Sequence, residues 1–257
     1  MKKLFGILLV LIYSFSIFAE KGDTLPNNTY KTGEKLIYKL EYGWIIGGMA
    51  SLTLQEKELN GKKYHYVAGI GKTIGVTDRL FKVLDIYESY FDIYTCKPTK
   101  TIRNIREDNY RRYDVATYNA DNSVAYSTLK KADVKLPKGS LDVVSMFYFA
   151  RRKSFNNLKS GDVLSFDTYF NEEYWNLKIR YIGVETIEMD FGKVNCLKFK
   201  PVVEPGTFKN PDALTVYVSN DANHIPVRVE MDFFVGSFRT DLTSYSGLMH
   251  TFKFEAD

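Results

Sequence analysis

The sequence predicts a mainly β protein, one large curved antiparallel sheet or partly open barrel with one buried helix and a second short helix. Three observations carry this expectation. Apolar and polar residues alternate with period two in short runs between Leu36 and Leu242. Turn residues punctuate those runs closely, as at Asn60-Gly61, Asp108-Asn109 and Asp121-Asn122. The clearest helical period falls in one stretch, after Pro137 and Gly139, which also carries helix-starting and helix-ending residues.

At the start of the chain, Lys2 and Lys3 precede an apolar run from Leu4 to Phe18, with Ala19 next. Basic, apolar and small-residue zones in that order make a secretory signal peptide. The run, about fifteen residues, is shorter than the roughly 20 needed to span a bilayer. The expectation is residues 1–19 as signal peptide, cleavage near Ala19, and a soluble periplasmic or secreted product with no transmembrane segment. No cysteine follows the run to accept a lipid. Residues 20–32 hold Gly22, Pro26, Asn27 and Asn28 without periodicity and read as an N-terminal arm. Residues 33–257 read as a single β-rich domain.

Within that domain, Leu36, Tyr38, Leu40 and Tyr42 alternate with polar neighbours, as do Ala50, Leu52 and Leu54 after Gly47-Gly48. Asn60-Gly61 is the strongest hairpin signal, because both central residues of a type I′ turn need positive φ. Further strands are expected over 85–94, 101–107, 110–118 and 123–130. The pattern resumes from Val163 through Tyr181, over 195–203 and over 214–219. It ends with Val227, Val229, Met231 and Phe233, then Phe238, Thr240 and Leu242. Between these blocks Ser140 can cap a helix in which Val143, Met146, Phe147 and Ala150 recur at helical spacing, with Arg151 and Arg152 at its C-terminal end. Leu141, Val144 and Tyr148 make its second face apolar, so this helix calls for burial on two sides. Thr77 to Leu84 is the second, shorter helix.

A formal charge of +4, or +2 without Lys2 and Lys3, is too small to point to nucleic acid. His65, His224 and His250 stand apart from one another and no zinc spacing occurs, so neither metal nor cofactor is expected. No G-x-S-x-G motif or phosphate loop is present. Glu88 and Asp92 share a strand face but carry no catalytic signature, so no catalytic residue is assigned. Cys96 and Cys196 are expected to stay unbridged, since a core of this size does not depend on a staple.

One constellation stands out. If Asp108-Asn109 turns a hairpin, Arg106 faces Arg111, Ile105 faces Arg112 and Arg103 faces Asp114. Like charges directly opposite destabilise a sheet, so Arg106 and Arg111 call for an anion. Glu88 or Asp85 of the preceding strand can supply it, or a bound phosphate or carboxylate. Arg106, Arg111 and Glu88 are therefore the candidate ligand-binding residues, with Arg112 on the opposite face.

Gly33-Glu34-Lys35-Leu36-Ile37-Tyr38 followed by Gly47-Gly48, Asp85-Ile86-Tyr87-Glu88-Ser89-Tyr90, Tyr110-Arg111-Arg112, Leu141-Asp142-Val143-Val144-Ser145 and Pro226-Val227-Arg228-Val229 together resemble an exported bacterial family. That family is catalogued as domain of unknown function 3108 (DUF3108). The resemblance, over roughly Gly33 to Gly247, implies export and a β architecture and transfers no site. The function expected is a non-catalytic periplasmic binding or carrier protein for an apolar or amphipathic envelope molecule. The alternatives are an envelope hydrolase using acidic residues, and an assembly factor that binds another envelope protein.

Overall fold

The computed structural model describes residues 25–202, 214–233 and 236–256, so the expected signal peptide lies outside the described residues. The first half of the chain runs β1 (Lys35–Tyr42), β2 (Ile45–Leu59), β3 (Lys62–Thr73), α1 (Gly75–Leu80), β4 (Leu84–Phe91), β5 (Pro98–Glu107), β6 (Tyr110–Tyr118), β7 (Val124–Ser127) and β8 (Ala132–Lys135). Then follow β9 (Leu141–Asp142), α2 (Val143–Arg151), β10 (Val163–Phe170), β11 (Glu173–Met189), β12 (Gly192–Pro201), β13 (Leu214–Ser219), β14 (Pro226–Phe233) and β15 (Gly236–Ser246).

All the strands belong to one sheet, in the order β8 to β1, then β15 down to β9. Two meanders thus meet where β1 pairs antiparallel with β15, from Lys35↔Ser246 to Tyr42↔Phe238. Among the described strands only the two-residue β9 pairs parallel, with β10. The sheet curls until its flanks touch: Tyr169 of β10 packs with Ala116 of β6, Ala125 of β7 and Leu136. Antiparallel neighbours need only tight turns, and Asn60 and Gly61 both adopt positive φ, at 52° and 76°. Gly247 closes the β1–β15 junction at φ 67°, where a Cβ would sit 2.2 Å from the Gly33 carbonyl oxygen. No side chain fits there.

Helix α2 fills the curled sheet. Val144 and Tyr148 pack with Leu54, Val67 and Phe91 of β2, β3 and β4. Its cap is Asp142 rather than Ser140, because Leu141 and Asp142 stay extended to pair with Thr168 and Tyr169. Asp142 Oδ1 accepts from the backbone N of Val144 and Ser145, while Ser145 Oγ accepts from the Asp142 N, a reciprocal box. Helix α1 begins two residues earlier and ends four earlier than the sequence suggests. Val76, Leu80 and Phe81 of its apolar stripe are exposed.

At the C-terminal end of α2, Arg151 is buried and makes a bidentate pair with the fully buried Glu34, at 2.6 and 2.7 Å. Its Nε donates to Asn223 O at 3.0 Å. Arg152 donates to Tyr30 Oη, Tyr94 O and Ile93 O. Residues 25–32 contain no strand, and Tyr30 among them is fully buried under these two guanidinium groups. Cys96 and Cys196 are free and buried in separate clusters, which keeps them apart.

Removing one partner of a buried ion pair strands a charge in a medium that solvates it poorly. Glu34→Ala should therefore lower unfolding free energy by about 3–5 kcal/mol in urea titration. Adding Arg151→Met should recover much of that loss; a double variant no more stable than Glu34→Ala would contradict the assignment. His65, edge-on to Tyr30 and Phe91, has its pKa pushed down to about 4, first by burial and then by Arg152. The unfolded chain, with His near 6.5, takes up the proton first as pH falls, so stability is lost between about pH 6.5 and pH 4. His65→Phe keeps the ring and should flatten that decline, by up to about 3 kcal/mol over the window.

Candidate binding site at the barrel seam

Where the flanks of the sheet meet, no backbone ladder joins β10–β11 to β5–β6. The join is made by side chains: the packing of Tyr169 on Ala116, Ala125 and Leu136, and a polar cluster around one carboxylate. β10 and β11 are connected by Asn171 and Glu172, both at positive φ, 55° and 58°. Asparagine takes that region readily; glutamate does so at a cost on the order of 1 kcal/mol. The turn aims Glu172 inward, where it is 2% exposed and accepts from Arg103 of β5 and Arg112 of β6 through separate oxygens. Arg103 Nη1 also donates to Asn171 Oδ1 at 3.0 Å, and Lys130 Nζ donates to Glu172 O at 2.7 Å. Burial, and after it the charge of Arg112, makes Arg103 a weaker base than usual, and Glu172 sits between the two cations. The Nε atoms of Arg103 and Arg112 are buried without hydrogen-bond partners among the described residues.

Beside this cluster lies a cavity of about 40 Å³, bordered by Tyr87, Arg103, Asp114, Asp142, Tyr169 and Glu172 among others. That is room for a few water molecules. Asp114 is tied up by Ser127 Oγ, Thr128 Oγ1 and Leu129 N at 2.9–3.1 Å. Asp142 accepts Ser89 Oγ at 2.7 Å besides capping α2, and burial pushes its carboxyl above the usual aspartate range against these bonds. Two larger clefts open to solvent: one of about 520 Å³ beside Arg152, Asp221 and His224, another of about 350 Å³ over Ile37, Met49, Ile70 and Leu84. Among the described residues no cluster of three or more His, Cys, Asp or Glu could hold a metal ion, and no helix is long and apolar enough to cross a membrane.

The description "Protein of unknown function (DUF3108)" matches residues 37–243. The chain belongs to this family. Among solved structures it is similar to a beta-barrel-like protein of DUF1849 from Brucella abortus, at 11% identity and a TM-score of 0.52. That match covers 82% of this chain and 96% of that one. A DUF1089 family protein from Pseudomonas aeruginosa is similar at 10% identity and a TM-score of 0.34, over 74% of this chain and 87% of that one. No curated protein matches.

In this DUF3108 chain the hairpin register agrees with the sequence expectation residue for residue: Arg103↔Asp114, Ile105↔Arg112, Arg106↔Arg111 and Glu107↔Tyr110. Arg106 and Arg111 do stand side by side, exposed on the outer face. Arg111 Nη1 donates to the carbonyls of Asp108 and Tyr110, and Arg106 Nε to Asn104 Oδ1. Glu88 is not gathered with them. It borders the cavity, but its carboxylate accepts from Tyr66 Oη and its Cα partner is Ile102, four residues and roughly 13 Å from Arg106. Asp85 reaches the pair only through the Arg106 backbone N, at 3.1 Å.

The residues that converge are Arg103 and Arg112, on the other face of the same hairpin, with Glu172 from the β10–β11 turn. Alternation from the buried Ile105 and Ala116 assigns both arginines to the inner face, and that signal is present in the sequence. Glu172 has no such signal, since Asn171-Glu172 lacks the glycine that marks a type I′ turn.

Asp142 links the site to the helix. Asp142→Ala should remove the α2 cap and orphan Ser89, lowering stability by about 2 kcal/mol in thermal or urea unfolding. Asp142→Asn keeps the cap and should cost less; equal losses would detach the capping role from this residue.

Proposed function

We propose that this protein is a non-catalytic, exported binding protein for an anionic amphiphile, whose acidic head group exchanges with Glu172 between Arg103 and Arg112. The observation that carries the reading is the seam itself. Two inward arginines converge on one internal carboxylate held by a turn in a costly conformation. A carboxylate or phosphate from outside offers the same oxygens to the same guanidinium forks. Because side chains rather than a ladder hold the flanks together there, exchange at Glu172 frees the β10–β11 turn. The cavity of about 40 Å³ then widens toward Tyr87, Val144 and Tyr169, the surfaces that would receive an apolar tail. Export follows from the basic, apolar and small-residue zones at the start of the chain.

A hydrolytic reading has less support. The carboxylates of Asp114 and Asp142 are committed to hydroxyls and backbone N–H groups that hold the fold, and Glu172 to two cations. Glycoside hydrolysis, for comparison, needs two carboxyls facing each other across an open cleft.

Titration with dansyl-labelled undecanoate and with its neutral methyl ester tests the reading, and displacement by lysophosphatidylglycerol compares a phosphate head with a carboxylate. The acid should bind and the ester bind at least about tenfold more weakly, as expected for a charged hydrogen bond worth roughly 1.5–3 kcal/mol. Arg103→Gln and Arg112→Gln should each lose about as much, whereas Glu172→Gln, which removes the internal competitor, should bind more tightly. Equal binding of acid and ester, or weaker binding by Glu172→Gln in a folded protein, would sink the proposal.

A further inference from the structure

One end of the barrel exposes large apolar side chains that the fold does not use. The β1–β2 turn carries Trp44, 90% exposed, with Ile45 and Ile46 beside it. Helix α1 lies against this turn: Ile74 N donates to Gly47 O at 3.1 Å, and a Cβ on Gly47 would come within 3.1 Å of Thr77 Oγ1. It presents Val76, 70% exposed, and Leu80, 81% exposed, with Phe81 following. On the other flank of the turn, the rings of Tyr42 and Phe238 pack at 4.8 Å with a tilt of 44°, and Gly43 N donates to Ser237 O. These residues come from a hairpin tip, a one-and-a-half-turn helix and a neighbouring strand end. They form a projecting rim, not a groove shaped to receive a segment of chain.

Charge around the rim is asymmetric in what it is free to do. Arg79 and Lys82 are exposed and have no ion-pair partner among the described residues. The β5–β6 turn docks here through Asp108 N to Lys82 O at 2.6 Å, which brings the outward Arg106 and Arg111 to the same end. Three of the described acidic side chains near α1 and the β5–β6 turn accept hydrogen bonds within the protein. Asp78 accepts Thr73 Oγ1, Asp85 accepts the Arg106 N and lies against Glu107, and Asp108 accepts Asn109 Nδ2.

We infer that this rim docks the protein on an anionic lipid bilayer, with Trp44, Val76 and Leu80 entering the interface and Arg79 and Lys82 against lipid phosphates. Indole belongs at head-group depth because its ring is apolar and its N–H still needs a polar partner. An amphipathic surface of this kind gains affinity from apolar burial and, separately, from basic residues facing anionic lipid. The two contributions respond differently to lipid composition, which makes them separable. The inference does not depend on the seam: docking asks nothing of Arg103, Arg112 or Glu172.

The test is co-sedimentation of the protein, purified as the producing cell leaves it, with vesicles of equal parts phosphatidylglycerol and phosphatidylcholine and with phosphatidylcholine alone. Any contribution from residues 1–19 is common to all variants. Binding should favour the anionic vesicles. Trp44→Ser and Leu80→Ser should each weaken it on the order of tenfold on both vesicle types. Arg79→Ser and Lys82→Ser should each weaken it about fivefold on the anionic vesicles alone. Trp175→Ser, at a 51% exposed tryptophan on β11, five strands from β1 in the sheet order, should change nothing. Val76→Ser replaces any rim variant whose circular dichroism shows misfolding. No partition of the wild-type protein onto either vesicle overturns the inference, as does an equal loss in Trp175→Ser. A dimer that Trp44→Ser converts to monomer, with vesicle binding unchanged, overturns it in favour of a second copy of this chain.

Discussion

The pair of Glu34 with Arg151 is the constraint on which the arrangement of this barrel depends. A curled sheet of this width cannot fill its interior with its own side chains, and α2, nine residues long, supplies what is missing. A helix that is apolar on two faces slides and rotates in such a space with little change in buried area, because burial is non-directional. A bidentate guanidinium–carboxylate pair removes that freedom, since the planar fork is matched in few geometries. Its net contribution to stability over a well-packed apolar pair is small, for both ions must be desolvated. What it fixes is position. Through Arg151 and Arg152 the helix end is tied to the start of β1, to the arm at Tyr30, to the β4–β5 connection and to the loop at Asn223.

Fixing one end of α2 fixes the other. Asp142, at its N-terminus, serves at once as the last residue of β9, the helix cap and the acceptor for Ser89 of β4. The helix start therefore meets the sheet close to the seam, and the seam is where regular structure stops. β9 is two residues long and pairs with β10 alone, so beyond β10 the barrel wall is completed by Tyr169, Glu172 and their partners. A closed ladder leaves no edge and opens only by unfolding. Under the proposed exchange, replacing that carboxylate would release the polar part of the seam and let the Glu172 turn leave its positive φ, with the packing of Tyr169 still to be overcome.

The sequence is informative here to the degree that each feature has a local cause. Strand alternation and the Asn60-Gly61 and Asp108-Asn109 turns are local, so the hairpins and even the β5–β6 register are legible from residues alone. The cap of α2 is less so: Ser140 and Asp142 are both good caps, and only the parallel pairing with β10 decides between them. The site is legible by half. The like-charge argument selects Arg106 and Arg111, but those side chains lie in water, where repulsion is screened and carbonyl oxygens suffice. The same register also places Arg103 and Arg112 on the inner face, where desolvation makes the demand for an anion far stronger. Their partner comes from a turn between two runs that the residues alone present as one, because neither Asn171 nor Glu172 interrupts the pattern as glycine or proline would. The exposure of Val76 and Leu80 was also hidden. A stripe at helical spacing implies a covered face, and nothing local reveals that α1 lies at an open end.

The β5–β6 hairpin belongs to both proposals, and its geometry links them. Residues alternate across it, so it carries Arg106 and Arg111 outward and Arg103 and Arg112 inward on one hydrogen-bonded ladder. A ladder resists shear along its own length, because every register contact would have to break together. Its turn is held to the segment after α1 by the Asp108 N–H on the Lys82 carbonyl and by the bridge of Val83 with Glu107. If both proposals hold, a shift of the rim against a bilayer would be carried through these contacts to the hairpin, and so to the two guanidinium groups that hold Glu172. For contact with lipid to favour an open seam, it must bind the open form more tightly than the closed one. Under the two proposals, docking and head-group exchange would therefore meet on one element, from its two faces.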